Sequence, residues 1–183
     1  FIDGARIGYA LMAEGADFTL NDIVNLADVF YIGGTKVGAM MGEAVVIVNP
    51  ALKKDFRYLI KQRGGMLAKG RLLGIQFIGL FDERKLYYKV SQHAITQAMR
   101  IKKAFEEAGC KFRYDSPTNQ QFPILPNDVM EKLGEKYAFS FWEKVDENNT
   151  CVRFCTSWAT DEKNVDKLIE DINCQGVLIS LKV

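Results

Sequence analysis

Ala27-Asp28-Val29-Phe30-Tyr31-Ile32-Gly33-Gly34-Thr35-Lys36-Val37-Gly38-Ala39 is the stretch from which the rest of the chain is read. Val29 to Ile32 is a short apolar run closed by Asp28 on one side and a Gly-Gly turn on the other. That is the pattern of a buried strand feeding a tight turn. Beyond the turn a lone lysine, Lys36, stands among Thr35, Val37, Gly38, Ala39, Met40 and Met41. Charged side chains on a Gly-Gly-x-Lys turn ordinarily sit on a solvated loop. The other reading is a lysine made nucleophilic by desolvation. A cation among apolar groups loses hydration, and the neutral amine that results can attack a carbonyl.

Upstream, Phe1-Ile2-Asp3-Gly4-Ala5-Arg6 reads as the end of a buried strand carrying an aspartate, then a glycine turn and an arginine. A carboxylate at the C-terminal end of a strand in an open α/β sheet is placed to face a ligand. Residues 43–48 are β-branched and stop at Asn49-Pro50, so they form another strand. Strand, helix, strand, turn and strand in this order indicate part of a large α/β domain, with a mostly parallel sheet and the lysine at its rim.

A strand-end Asp3 followed, after a helix and a strand, by a turn-borne Lys36 resembles the fold-type-I pyridoxal-phosphate enzymes. Asp3-Gly4-Ala5-Arg6 resembles the threonine aldolase branch of the β-eliminating lyase group. The resemblance covers essentially the whole chain but about half of a complete family member. It implies that the chain is the C-terminal half, cut one strand before the cofactor aspartate. It also implies that the ring-stacking and phosphate-cradling residues lie in the other half.

By the same resemblance, Lys36 holds pyridoxal 5'-phosphate covalently and Asp3 pairs with the pyridinium nitrogen. Arg6 lies among the cofactor-binding residues and helps Arg153 to bind the α-carboxylate of an amino acid substrate. Arg153 stands inside the apolar strand Val152-Arg153-Phe154-Cys155, and a planar guanidinium suits a carboxylate. The family's Gly-Gly-Met segment continues with an arginine that reaches a neighbouring subunit's cofactor phosphate. Here Gly64-Gly65-Met66 is followed by Leu67, and Lys69 is the nearest cation. A solvated glycine loop reads as well at this place. The implied reaction is retro-aldol cleavage of a β-hydroxy amino acid such as threonine, whose β-hydroxyl needs a base. No residue of this chain suggests itself for that role. β-Elimination and transamination, which share Asp3, Lys36 and Arg153, are alternatives, as is a piece without catalysis.

The chain divides at about residue 85. Residues 1–85 are the remainder of the cofactor-binding domain, and residues 86–183 are a connector helix and a small α+β domain. Residues 51–61 show helical spacing through Leu52, Phe56, Leu59 and Ile60. Residues 70–81 are apolar nearly all round, as in a helix covered by protein on more than one side. That suggests a subunit contact, and the family implies a homodimer or homotetramer. From about residue 87 to 108 Ala94, Ala98, Ile101 and Phe105 form one stripe, and Gly109 closes the helix. His93 on that helix reads as structural. Further on, Asn127 or Asp128 and then Thr160 are expected to cap helices, and Val165, Leu168, Ile169 and Ile172 form the last core stripe.

With 48% apolar and 26% charged residues the chain has the composition of an ordinary globular protein. A net charge of +1 offers no field for nucleic acid or an anionic membrane, and no apolar run is long enough to span a bilayer. The four cysteines form no Cys-x-x-Cys pair, and with a single histidine they make a poor metal or disulfide set. A reduced, cytoplasmic protein without a metal is expected. Gly33-Gly34-Thr35-Lys36 lacks the spacing of a nucleotide phosphate loop.

Overall fold

The computed structural model describes residues 1–182 along the backbone and the side chains as far as Cys174. It forms two compact units, Phe1–Met12 with Ala16–Ser91, and Ala13–Gly15 with Gln92–Val183.

In the first unit α1 (Ile7–Leu11) and α2 (Leu20–Leu26) precede β1 (Val29–Gly33). Thr19 opens α2 with a reciprocal capping box, its side chain accepting from Asp22 N while the Asp22 carboxylate accepts from Thr19 N. β1 pairs with β2 (Glu43–Ile47) from Val29↔Ile47 to Gly33↔Glu43, and the pairing is antiparallel. The expected mostly parallel sheet is thus corrected for these strands, since residues 34–42 are too few for the crossover that parallel neighbours require. Parallel pairing is confined here to the single bridge Ile2↔Phe30.

Residues 51–61 are not one helix. A 3₁₀ turn over Pro50–Leu52 is separated from α3 (Phe56–Gln62) by Asp55, which takes a left-handed conformation at φ 58°, one that a short Asx side chain tolerates. α4 (Arg71–Phe81) forms as expected, and as expected of a helix apolar nearly all round, this chain alone leaves one of its faces bare. Leu73, Phe77 and Leu80 turn inward, Leu80 being buried. Leu72, Ile75 and Ile78 are 54, 65 and 70% exposed, so this chain covers one side of the helix only. Phe81 stacks on Tyr87 with ring centroids 4.6 Å apart, which ties α4 to the start of α5 (Leu86–Glu107).

The second unit takes most of α5, whose stripe of Ala94, Ala98, Ile101 and Phe105 is fully buried. Five short strands follow, β3 (Lys111–Phe112), β4 (Gln120–Gln121), β5 (Pro123–Pro126), β6 (Ser140–Lys144) and β7 (Asn149–Cys155). All pairings are antiparallel in the order β3-β5-β7-β4, with β6 on the other edge of β7. α6 (Asn127–Gly134) and α7 (Glu162–Lys182) complete one core with α5, centred on Phe105, Leu125, Val129, Val152 and Ile172.

Two caps differ from the sequence reading. Asn127 is already inside α6, and its amide instead donates to Glu147 O while its carbonyl accepts from Thr150 Oγ1. Asp161, not Thr160, caps α7 by accepting from Lys163 N at 2.8 Å, while Thr160 Oγ1 accepts from Ser157 N. His93 Nε2 lies 2.8 Å from Thr160 O and Nδ1 lies 3.8 Å from Glu162, so the fold supplies the carboxylate that its sequence neighbours lack. The thiols of Cys110 and Cys151 are free, and burial pushes them up to about 12 and about 11. No helix of the described residues is long and apolar enough to cross a membrane.

Candidate active site

Two close approaches of bare backbone build the site. Ile2 N donates to Val29 O, and Gly33 N donates to Gly4 O, each at 3.0 Å, which lays the Asp3-Gly4-Ala5 segment against β1. A Cβ on Gly4 would fall 1.6 Å from Tyr31 O, and one on Gly33 would fall 2.7 Å from Ala5 O. Only glycine fits at either place, because side-chain atoms cannot share that space with backbone.

This contact sets Asp3 beside Tyr31. Asp3 Oδ1 accepts from Ala5 N at 3.0 Å and takes a short hydrogen bond from the Tyr31 hydroxyl, while Oδ2 accepts from no described residue. The Tyr31 bond, then the Ala5 amide, hold the Asp3 carboxyl below its ordinary value, and the charges of Lys36 and Arg6 add smaller pulls. The same bond, with burial next, pushes the Tyr31 phenol up to about 12. Asp3 is therefore an ionised, exposed carboxylate with one oxygen free to receive a proton donor.

Lys36 sits in a 3₁₀ turn over Thr35–Val37 that ends at Gly38 with φ 98°. Val37 and Ala39 are buried and anchor the turn, whereas Lys36 is half-buried. Tyr9 donates from its hydroxyl to Lys36 O, and Tyr87 donates to Gly33 O at 3.1 Å. Gln76 of α4 acts as a third clamp. Its Oε1 accepts from Met40 N at 2.7 Å and Met41 N at 3.3 Å, and its Nε2 donates to Met41 O at 3.2 Å. The lysine backbone is thus held from several sides while its amine is left to act.

Arg6 lies immediately before α1, and its Nε is buried with no hydrogen-bond partner among the described residues. Buried donors are nearly always satisfied, so an orphan marks a place for a missing acceptor. Lys69 lies on the turn before α4, exposed, and its ammonium makes no hydrogen bond or ion pair among the described residues. Arg153 belongs to the other unit, on β7 opposite Ser140, and it too has a buried, unpartnered Nε. The first unit thus gathers Asp3, Arg6 and Lys36 within electrostatic reach, and no described contact joins Lys69 to them.

Tyr31, Tyr9 and Gln76 were not singled out from the sequence. Gln76 carried a legible signal as the one polar side chain between Leu72 and Phe81. Tyr31 carried none, since its partner lies 28 positions earlier in the chain.

A threonine aldolase from Leishmania major superposes on this chain with a TM-score of 0.92 at 41% identity, over 95% of this chain and 51% of that one. The chain is similar to threonine aldolases. Among curated proteins it is 29% identical over 175 residues to a low-specificity L-threonine aldolase of a Pseudomonas species, covering 93% of this chain and 49% of that protein. The chain spans about half the length of the curated relatives it matches. A serine palmitoyltransferase from Sphingomonas wittichii aligns over 98% of this chain and 47% of that one at 11% identity, with a TM-score of 0.63. The fold is that of the pyridoxal-phosphate-dependent transferases, over about half the length of a threonine aldolase. No family model matches the chain.

Pyridoxal phosphate suits the donor set on this face. Asp3 Oδ2 offers an ionised acceptor to a protonated ring nitrogen, Lys36 a primary amine to an aldehyde, and Arg6 Nε an unsatisfied donor to an anionic oxygen.

Proposed function

We propose that this chain carries the lysine half of a pyridoxal-phosphate site in an enzyme that cleaves β-hydroxy amino acids, taking threonine to glycine and acetaldehyde. The assembly of Asp3, Arg6 and Lys36 around the Gly4–Gly33 contact carries the proposal, and the similarity to threonine aldolases supports it. Lys36 would hold the cofactor through its primary amine. Asp3, kept ionised by Tyr31 and the Ala5 amide, holds a proton on the ring nitrogen, and Arg6 offers its Nε donor to an anionic group. Arg153 binds the substrate's α-carboxylate through parallel hydrogen bonds. The bound cofactor supplies an electron sink for the pair left on Cα when the Cα–Cβ bond breaks. The β-hydroxyl loses its proton as it becomes the aldehyde, and Cα gains one to give glycine.

The large domain ends at residue 85 in this reading, and the protein works in the cytoplasm. The uncovered side of α4, with Leu72, Ile75 and Ile78, is buried in a homodimer or homotetramer, because soluble proteins seldom leave such faces bare. Lys69 then approaches the cofactor phosphate of a neighbouring subunit as a point charge.

Borohydride reduction of the cofactor-loaded protein, followed by peptide mapping, tests the assignment directly. The label is expected on Lys36, together with acetaldehyde release from threonine before reduction. A label on another lysine, or no aldehyde from a fully loaded protein, would overturn it.

A further inference from the structure

We propose that Gln120, Ser140 and Trp142 form a seat that aims the Arg153 guanidinium, acting as positioning residues for recognition of the substrate's carboxylate. The inference rests on the reading of Arg153 given above.

The seat follows from strand register. Ser140 on β6 lies directly opposite Arg153 on β7, and Gln120 on β4 is paired with Cys155, two residues further along. Arg153 Nη2 donates to Ser140 Oγ and Nη1 to Gln120 Oε1, both at 3.3 Å, so both ends of the fork are tethered, one to the strand on each side. A bulge between Phe141 and Glu143 leaves Trp142 without a partner on β7. Its ring centroid lies 5.8 Å from Arg153 Cζ and 4.9 Å from the ring of the buried Phe122. Phe122 thus backs the tryptophan, and the tryptophan backs the cation.

A guanidinium has five N–H donors. Two are spent on Gln120 and Ser140, and Nε, buried, is spent on nothing. Gln120 and Ser140 are both neutral, so the full positive charge is kept for an anion. Arg153 makes no ion pair among the described residues, its side-chain partners being Gln120 and Ser140. Long flexible side chains lose rotamer freedom when they bind, so holding the fork beforehand lowers the cost of carboxylate capture.

The test titrates the cofactor-loaded protein with glycine and with methylamine, which is glycine without its carboxylate, following the cofactor's visible spectrum. Gln120→Ala, Ser140→Ala and Trp142→Leu are each expected to weaken glycine about three- to tenfold and to leave methylamine unchanged, while Trp142→Phe restores most of the loss. Arg153→Ala is the reference and is expected to weaken glycine about a hundredfold or more. If Arg153→Ala leaves glycine unaffected, the reading of Arg153 itself falls. If Arg153→Ala weakens glycine but the three seat variants do not, the seat alone is overturned. Equal weakening of glycine and methylamine in the seat variants would also overturn it, because a general structural role moves both.

Discussion

The two units are held together in different ways. The second closes a side-chain core on itself, with Phe105, Leu125, Val129, Val152 and Ile172 each at most 5% exposed. The first buries Tyr9, Phe30, Val37 and Tyr87 but adds backbone meeting backbone at Gly4 and Gly33 and side chains that clamp a turn, and it leaves one side of α4 bare. The proposed cofactor residues lie in the first and the proposed carboxylate anchor in the second. A tightly packed sheet suits a residue that must hold a fixed direction. A turn pinned at its carbonyls and amides suits a lysine whose amine must bond, release and bond again. The proposed lysine chemistry thus falls on a turn whose backbone is fixed by hydrogen bonds from Tyr9, Tyr87 and Gln76.

The largest expected effect attacks the clamped turn at its purpose. Lys36→Ala in the cofactor-loaded protein should abolish turnover and the cofactor's visible band while circular dichroism stays unchanged. The side chain is half-buried and its backbone contacts with Tyr9 survive the substitution. Arginine at this position should not rescue either property, because a guanidinium stays protonated and cannot add to the carbonyl. A full-strength visible band in Lys36→Ala would remove the chemical half of the contrast.

Next comes a paired test of the two kinds of interior. Gly4→Ala drives a Cβ to 1.6 Å from Tyr31 O, which no rotamer relieves, and should destabilise by roughly 4 kcal/mol or more. Phe105→Ala, a cavity in the second core, should cost about 3–5 kcal/mol. Hydrogen exchange distinguishes them. The first is expected to strip protection from β1 and β2 and the second from β5 and β7. If either variant loosens both sets equally, the units do not unfold separately and the comparison fails.

What could be read in advance divides along the same line. The second core was legible because α5 and α7 repeat apolar residues at helical spacing, and that period alone decides which side chains face inward. Lys36 and Asp3 were legible as odd residues on apolar ground. The antiparallel pairing of β1 with β2 was missed, although the nine residues between Gly33 and Glu43 already argued against a crossover. The bare side of α4 was legible too, since residues 70–81 are apolar nearly all round, but hydropathy marks a face as buriable without saying what buries it. Tyr31 illustrates the hardest case. Its contact with Asp3 depends on two glycines, far apart in sequence, that let their backbones touch.

Asp3→Asn sharpens the site within the first unit. Shape is preserved while the charge that holds the ring-nitrogen proton is lost. Turnover should fall roughly 10²-fold or more, if the lost ion pair is worth about 3 kcal/mol in the transition state. Cofactor affinity should weaken by much less. Unchanged turnover in a loaded variant would mean that Asp3 does not face the ring.

The smallest effect is read without catalysis, in the titration of Tyr31. The hydrogen bond from Tyr31 lowers the Asp3 pKa from its ordinary 3.8 and raises that of Tyr31 from 10.0 to about 12. The contribution of Asp3 to stability is present above pH 3.8 and is lost as pH falls through its lowered value. That of Tyr31 is present below pH 10.0 and is lost as pH rises through about 12. The bond therefore serves at full strength across the neutral range, where the enzyme would need an ionised Asp3. With the Tyr31 ring labelled at Cζ, carbon chemical shifts should follow a titration near 12 in the parent and a lower one in Asp3→Asn. The value should not return fully to 10.0, because burial and the charge of Glu43 also hold the phenol up. A parent Tyr31 that titrates at 10 would show that the pair is not formed in solution. The ionised state of Asp3 would then rest on the Ala5 amide and its exposure to water, as it does for an ordinary surface carboxylate.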